Sequence, residues 1–106
     1  MARYNDHVKE ADIQAAILDY LRLKGRFFFR CNSGAFKTQH GSFIRFGTPG
    51  APDLIGCVDG KFVGLEVKTE KGRLSEAQKT LAASLRAAGG QYHVVRSIDD
   101  VISLGL

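Results

Sequence analysis

The sequence lacks the features that mark exported, membrane-spanning or cysteine-based metal proteins. Its two cysteines, Cys31 and Cys57, have no CxxC or Cys/His ligand spacing around them, and we expect both to be reduced and buried. The longest apolar runs, residues 13–23 and 53–58, are interrupted well short of the ~20 apolar residues of a membrane span. Because the N-terminus has no apolar segment followed by a small-residue cleavage site, we expect a cytoplasmic protein.

Composition sets only broad limits on function. The chain is 44% hydrophobic and 25% charged, which is an ordinary composition for a soluble globular protein. Its 106 residues are enough for one domain, which we expect to span residues 1–106. No repeat, low-complexity tract or linker divides the chain. The formal net charge of +4 favours a polyanionic partner, although many basic proteins bind no nucleic acid.

The N-terminal half predicts a helix, a strand and a long loop. Apolar residues recur at helical spacing over residues 8–24, and Gly25 suits a left-handed C-terminal cap. Residues 26–31 predict a strand whose three consecutive phenylalanines are buried on both faces. Residues 32–52 are rich in glycine and polar side chains, with a strand-like stretch at 42–46, and indicate a loop or a loop carrying a hairpin.

The centre of the chain carries the strongest local signal, which is that of a β-hairpin. Two β-rich runs, residues 53–58 and 61–68, are separated by Asp59-Gly60, a pair that favours a two-residue turn. The two strands should therefore pair antiparallel. Counting outward from the turn places Asp53 opposite Glu66.

The C-terminal part predicts a helix, a strand and a short helix. Ser75-Glu76-Ala77-Gln78 resembles a capping box, which opens a helix with Leu81, Leu85 and Ala88 on its inner face. Residues 92–96 predict a last strand, and Ser97 caps the final helix. The order of elements predicts an α/β fold, with a mixed sheet, a central hairpin and flanking helices.

The hairpin register brings two acidic side chains together. Directly opposed residues have Cβ atoms roughly 5 Å apart, and like charges so placed repel each other. Asp53 and Glu66 offer the hard oxygen ligands that suit Mg²⁺, an ion that polarises phosphodiesters and activates water for attack. Lys68 shares the face of Glu66 because strand side chains alternate, and an ammonium there can orient the water or stabilise negative charge.

A plainer interpretation of each fragment is structural. Glu66 and Lys68 can be alternating polar residues of a solvent-facing strand, and Asp53 can be a turn residue. Ionisable residues are unexpected in the apolar run around Glu66, however, so the combination with the register favours a chemical role. His40 and His93 each stand alone in their segments and are not expected to act as general bases.

These residues resemble a nuclease superfamily. The string Gly50-Ala51-Pro52-Asp53-Leu54, followed at a hairpin's distance by Glu66-Val67-Lys68, resembles the PD-(D/E)xK nucleases. With Glu10 and residues 30–34, 74–78 and 92–100, it is similar to the VRR-NUC family over nearly the whole chain. The resemblance implies a Mg²⁺- or Mn²⁺-dependent endodeoxyribonuclease in which Asp53 and Glu66 bind the metal and Lys68 assists catalysis. Gln78 joins the predicted catalytic residues, and Glu10 and Val67 join the metal ligands.

Several of these candidates also have structural explanations. Glu10 can be a helix-face acid stabilised by the positive N-terminal end of its helix. Gln78 already has a role in the capping box. The candidate contacts to nucleic acid can instead be turn residues or solvated loop charges; they are Asn32, Ser33, Lys37, Arg45, Lys71 and Arg73.

The resulting hypothesis is hydrolysis of phosphodiester bonds in DNA. The resemblance implies branched DNA such as a Holliday junction as substrate, and small stand-alone relatives are often phage-encoded and act as two-fold symmetric resolvases. A homodimer is also favoured by six phenylalanines, unless all of them pack inside one monomer; they are Phe27, Phe28, Phe29, Phe36, Phe43 and Phe46. The alternatives are a catalytically silent nucleic-acid-binding module of the same fold and an RNA-directed enzyme.

Overall fold

A computed structural model describes residues 9–31 and 33–106, so the predictions for Val8 and Asn32 lie outside the described residues. The elements are α1 (Glu10–Leu23), β1 (Phe27–Arg30), β2 (Gly34–Lys37), β3 (Phe43–Phe46), β4 (Leu54–Val58), β5 (Lys61–Val67), α2 (Glu76–Ala87), β6 (Gln91–Val95) and α3 (Ile98–Ser103). The fold is the predicted α/β type, with a mixed sheet flanked by helices. No helix among the described residues is long and apolar enough to cross a membrane.

The main sheet has four strands in the order β1-β4-β5-β6. The first three pair antiparallel, whereas β6 pairs parallel to β5. A parallel pair needs a crossover connection, which α2 supplies here. Residues 63–67 of β5 are buried on both faces, so the strand that carries Glu66 is central in the sheet.

The hairpin between β4 and β5 has the predicted turn and register. Asp59 and Gly60 have φ angles of 52° and 79°, so both adopt the left-handed conformation that a type I′ turn requires. The paired residues run from Val58 and Lys61 to Leu54 and Leu65. Continuing this register by one residue would put Asp53 opposite Glu66, and the carboxylates of these two residues do lie close together.

One face of the sheet forms the main hydrophobic core against α1 and α3. Leu54 and Leu65 from the sheet, Ile17 and Leu21 from α1 and Val101 from α3 are all fully buried there. Burying each such side chain contributes about 1.5–3 kcal/mol. These contacts hold α1 against the sheet.

The opposite face of the sheet is only partly covered, by α2. Ala82 is the buried residue of this helix, and Leu81 and Leu85 are half-buried. The prediction that Ala88 lies on the inner face is wrong, because the helix ends at Ala87 and Ala88 is its exposed C-terminal cap.

Strand β1 shows a second departure from the prediction. Phe28 is 4% exposed, but Phe27 and Phe29 are 66% and 45% exposed, so the strand is buried on one face only. β1 is an edge strand, and the face that carries Phe27 and Phe29 is not buried by any other element among the described residues. Both cysteines are free, but the prediction of burial is wrong: Cys31 is half-buried and Cys57 is exposed on the neighbouring strand.

The long loop contains a separate two-stranded sheet formed by β2 and β3. Because opposed residues share a face, Phe36, Ile44 and Phe46 lie on one side of this small hairpin and Lys37 and Arg45 on the other. All of its strand residues are exposed. The six phenylalanines therefore do not all pack inside one monomer.

Candidate metal centre

Three carboxylates meet at the end of the sheet near the start of α1. Glu10 is the first residue of α1, Asp53 directly precedes β4 and Glu66 lies in β5. Each offers an oxygen atom, and the three atoms lie within 4.8 Å of one another. The hairpin register brings Asp53 and Glu66 together, and the packing of α1 on the sheet adds Glu10.

Two glycines allow the chain before Asp53 to lie close to its neighbours. A Cβ atom on Gly64 would lie 2.6 Å from Cγ of Pro52, so glycine leaves room for Pro52 to pack on β5. Gly50 has a φ of +83°, and a Cβ atom there would lie 2.2 Å from the carbonyl oxygen of Ala77. The segment leading to Asp53 is therefore held between the sheet and the first turn of α2.

Asp53 is anchored to both neighbouring strands. Its Oδ2 atom accepts a hydrogen bond from the main-chain N–H of Val67 at 2.8 Å, and its main-chain carbonyl accepts from Cys31 at the same distance. The side chain of Val67 is in the core, so its main-chain carbonyl is the atom with which it can bind a metal.

Glu66 is the buried member of the cluster, with an exposure of 2%. Its Oε2 atom accepts a hydrogen bond from Nε2 of Gln78 at 3.0 Å and lies 3.4 Å from Nζ of Lys68. Its Oε1 atom is buried and has no hydrogen-bond partner among residues 9–31 and 33–106. A buried carboxylate oxygen without a partner is costly, and a cation is a partner that would remove the cost.

Burial, and then the negative charge of Asp53, raises the pKa of Glu66 to about 7, although the nearby Lys68 ammonium opposes the rise. Burial followed by the charges of Glu66 and Asp53 also raises the pKa of Tyr92, so its hydroxyl remains protonated and donates to the carbonyl oxygen of Gly50 at 3.4 Å. The site thus concentrates negative charge around one buried carboxylate, and its hard oxygen donors fit a divalent cation such as Mg²⁺.

Lys68 directly follows β5 and its side chain is 13% exposed. The main-chain N–H of Lys68 donates to the carbonyl of Val95 at 3.1 Å, which continues the pairing with β6 beyond the strand. The ammonium group is thus beside the carboxylate cluster while the main chain of the residue is held by the sheet.

Gln78 belongs to two local structures at once. Its Oε1 atom accepts from the main-chain N–H of Ser75 at 2.8 Å, and the Ser75 hydroxyl accepts from the main-chain N–H of Gln78 at 3.2 Å. This is the predicted capping box. Since the Gln78 amide also donates to Glu66, the structural and functional interpretations of this residue do not exclude each other.

The remaining candidates lie outside the carboxylate cluster. Ser33, Lys37 and Arg45 are exposed on or beside the small hairpin, and Lys71 and Arg73 are exposed between Lys68 and α2. They are accessible to a phosphate backbone and belong to two separate segments of the chain. His40 and His93 are not members of the acidic cluster, and burial followed by the charge of Arg86 lowers the pKa of His93.

Sequence reasoning missed two residues close to this site. Tyr92 was predicted only as the start of a strand, and Arg96 only as its end. Their hydrogen bonds, from Tyr92 to Gly50 and from Arg96 to the carbonyls of Thr69, Glu70 and Gly72, join segments 24 to 42 residues apart. No local pattern signals such contacts.

Comparisons with known proteins identify the fold. No protein-family model and no curated protein sequence matches the chain. A solved structure described as "VRR_NUC domain" is 23% identical to it, with a TM-score of 0.64 over 90% of this chain and 91% of its own. Another, described as "VRR_NUC domain protein", is 21% identical, with a TM-score of 0.65 over 92% and 84%. The chain therefore has the fold of these VRR_NUC domains.

Proposed function

We propose that this chain, as one domain over residues 1–106, is a metal-dependent endonuclease that hydrolyses phosphodiester bonds in DNA. The observation that carries the proposal is the buried, unpartnered Oε1 atom of Glu66, which lies in a cluster with two further carboxylates. Its burial and raised pKa indicate a group that needs a cation, not a solvated surface acid. The nuclease-type fold supports the same reaction class.

The metal in this proposal is Mg²⁺ or Mn²⁺. Its ligands are Glu10, Asp53, Glu66 and the main-chain carbonyl of Val67, a set of hard oxygen donors. When bound, such an ion polarises the scissile phosphate and activates the attacking water.

The protein supplies orientation and charge around this ion. The N–H of Val67 holds one oxygen of Asp53, and the Gln78 amide holds Oε2 of Glu66, which leaves Oε1 for the metal. Lys68 offsets part of the negative charge of the cluster. In the transition state its ammonium stabilises the charge that grows on the phosphate oxygens, and it orients the attacking water.

DNA, and in particular branched or junction DNA, is the proposed substrate. The supporting observation is that basic residues are exposed on the small hairpin and in the segment that directly follows Lys68. Contacts from these cations to phosphate would position the duplex without reading its sequence. The proposed contacts are Asn32, Ser33, Lys37, Arg45, Lys71 and Arg73.

We further propose a homodimer as the working unit, because a four-way junction needs two cuts across a two-fold axis and the described residues of each chain contain one carboxylate cluster. The exposed apolar face of the small hairpin supports this proposal. An isolated two-stranded hairpin is only marginally stable in water, and Phe36, Ile44 and Phe46 are 45–52% exposed. The cytoplasmic and phage-associated setting stays a prediction.

The deciding experiment is a cleavage assay with four-way junction, flap, splayed-arm and linear DNA, and with a matched RNA duplex, in Mg²⁺, in Mn²⁺ and in EDTA. We expect metal-dependent cleavage of DNA that is strongest on the junction and absent in the variants Asp53→Asn and Glu66→Gln. The matched control is Glu76→Gln, because the Glu76 side chain is 91% exposed on α2.

Each other outcome has a definite meaning. If the protein binds every DNA substrate but cleaves none of them with metal, the proposed enzymatic activity is contradicted. That result would favour a catalytically silent nucleic-acid-binding module. Preferred cleavage of the RNA duplex would mean that the substrate is RNA and not DNA, while the proposed reaction, hydrolysis of phosphodiester bonds, would stand.

A further inference from the structure

Arg96 organises the turn that follows Lys68. The residue comes directly after β6, and its Nη1 atom donates to the carbonyls of Thr69, of Glu70 at 3.3 Å and of Gly72 at 2.8 Å. The main-chain N–H of Arg96 donates to Oδ2 of Asp100 at 2.8 Å, which anchors this residue to α3. Three carbonyls are therefore gathered around one guanidinium group.

The turn at residues 69–72 in turn contacts the side chain of Lys68. It is closed by a hydrogen bond from the N–H of Gly72 to the carbonyl of Thr69 at 3.0 Å. A Cβ atom on Gly72 would lie 3.2 Å from Cβ and 3.3 Å from Cδ of Lys68, so the glycine is packed on the aliphatic stem of the lysine. A side chain at this position would therefore push the lysine stem by a few tenths of an ångström.

We propose that Arg96 is a positioning residue for Lys68, acting through the turn at residues 69–72. A lysine side chain has four rotatable bonds, so the ammonium keeps one place near Glu66 only if its stem is restricted. The packed turn restricts the stem, and the guanidinium holds the turn. A lysine at position 96 presents a point charge in place of a planar fork and reproduces this arrangement poorly.

This inference rests on the proposed nuclease function, and kinetics of Arg96→Ala give its first test. We expect kcat to fall by about a hundredfold, because small displacements of a catalytic group have effects of that size. The affinity for Mn²⁺ should change by less than about threefold, since the carboxylates are not altered, and KM for DNA should change much less than kcat, since Lys71 in the turn is one of several proposed DNA contacts. Millimolar guanidinium ion should restore part of kcat.

The matched control is Arg26→Ala. Arg26 also donates from its guanidinium to a main-chain carbonyl, that of Gly105 at 3.0 Å, and it lies outside the carboxylate cluster. This variant should retain kcat. An equal loss of kcat in both variants would overturn the proposal, because it would reflect a general loss of structure.

A double-mutant comparison tests the route through Lys68. If Arg96 acts by positioning Lys68, Arg96→Ala should not reduce the residual activity of Lys68→Ala any further. A further hundredfold loss in the double variant would overturn the proposed route. Gly72→Ala, which leaves Arg96 in place and pushes on the lysine stem, should lower kcat in the same way and gives a second variant if Arg96→Ala folds poorly.

An NMR measurement separates failure of this inference from failure of the proposed function. In protein labelled with ¹³C-lysine, the Cε–Hε signal of Lys68 should be shifted from free lysine in the wild type and move towards it in Arg96→Ala. This readout needs no cleavage. An unchanged Lys68 signal in the variant would overturn the positioning role even in an active enzyme.

Discussion

The side-chain amide of Gln78 donates to Oε2 of Glu66 at 3.0 Å, which joins the start of α2 to the buried carboxylate. The carbonyl oxygen of the same side chain accepts from the N–H of Ser75. The cap of a helix and the orientation of a proposed metal ligand thus share one residue, and substitutions can separate the two roles.

We expect Ser75→Ala to lower the free energy of unfolding by about 1 kcal/mol, the usual cost of losing a helix cap, with Mn²⁺ affinity nearly unchanged. Gln78→Ala should lower stability similarly and also weaken Mn²⁺ binding by about tenfold, because the support of a metal ligand is lost. Urea denaturation and calorimetric titration measure the two effects. Equal Mn²⁺ affinities in the two variants would contradict the role assigned to Gln78.

Lys68→Ala should reduce cleavage by about 10²- to 10⁴-fold while DNA affinity stays nearly intact. The reason is that one ammonium among many basic groups matters more to the transition state than to the encounter with DNA. Single-turnover cleavage and fluorescence anisotropy measure the two quantities. Lys79→Ala, which removes an exposed lysine of α2, is the control; comparable losses of rate and affinity at Lys68 would count against the assignment.

The raised pKa of Glu66 predicts a pH-dependent stability of the metal-free protein. Because burial raises this pKa from 4.5 to about 7, the folded state binds the proton more tightly than the unfolded chain. The contribution is fully present below about pH 4.5 and is lost as the pH rises through about 7, by roughly 3 kcal/mol. Saturating Mn²⁺ should restore stability at high pH.

The measurement is urea denaturation in EDTA at about pH 5 and about pH 8, with Glu66→Gln as the reference variant. Other titrating groups contribute to both proteins, so the difference between them isolates Glu66. We expect the wild type to lose more stability than the variant over this interval. Parallel losses would show that Glu66 is not the group responsible.

The basic face of the small hairpin predicts a salt-dependent affinity for DNA. Removing both cations in Lys37→Ala/Arg45→Ala should weaken binding and reduce the slope of log K against log salt by about two, because each lost phosphate contact changes the slope by about one. Anisotropy titrations over a range of salt concentrations give the slope. The control is Lys24→Ala, which removes an exposed lysine at the C-terminal cap of α1. This variant should leave the slope of log K against log salt unchanged.

Light scattering at micromolar concentration tests the homodimer. We expect a mass of twice 11.6 kDa for the wild type, and a shift towards the monomer when the apolar face of the hairpin is disrupted by Phe36→Ser. Phe43→Ser changes the opposite face of the same hairpin and is the matched control. A wild-type mass that stays near 11.6 kDa, with and without junction DNA, would rule out the dimer.

Local sequence pattern was sufficient for most elements and for the core of the site. The turn at Asp59 and Gly60 depends on the conformation of two adjacent residues, and once the turn is known the register of the strands follows. The juxtaposition of Asp53 and Glu66 could therefore be predicted by counting. The capping box at Ser75 is equally local, since its hydrogen bonds span three residues.

The sequence by itself determined the helices, the central hairpin and the pair of carboxylates, because each depends on interactions between near neighbours or on alternation along a strand. Only the tertiary structure decided that Glu10 joins this pair, that Gln78 reaches Glu66 and that Arg96 reaches the turn after Lys68. It also decided that Phe27 and Phe29 are exposed, since α2 covers only part of one sheet face. Local pattern records which residues are apolar or charged, whereas the placement of one helix against a sheet depends on the packing of the whole core.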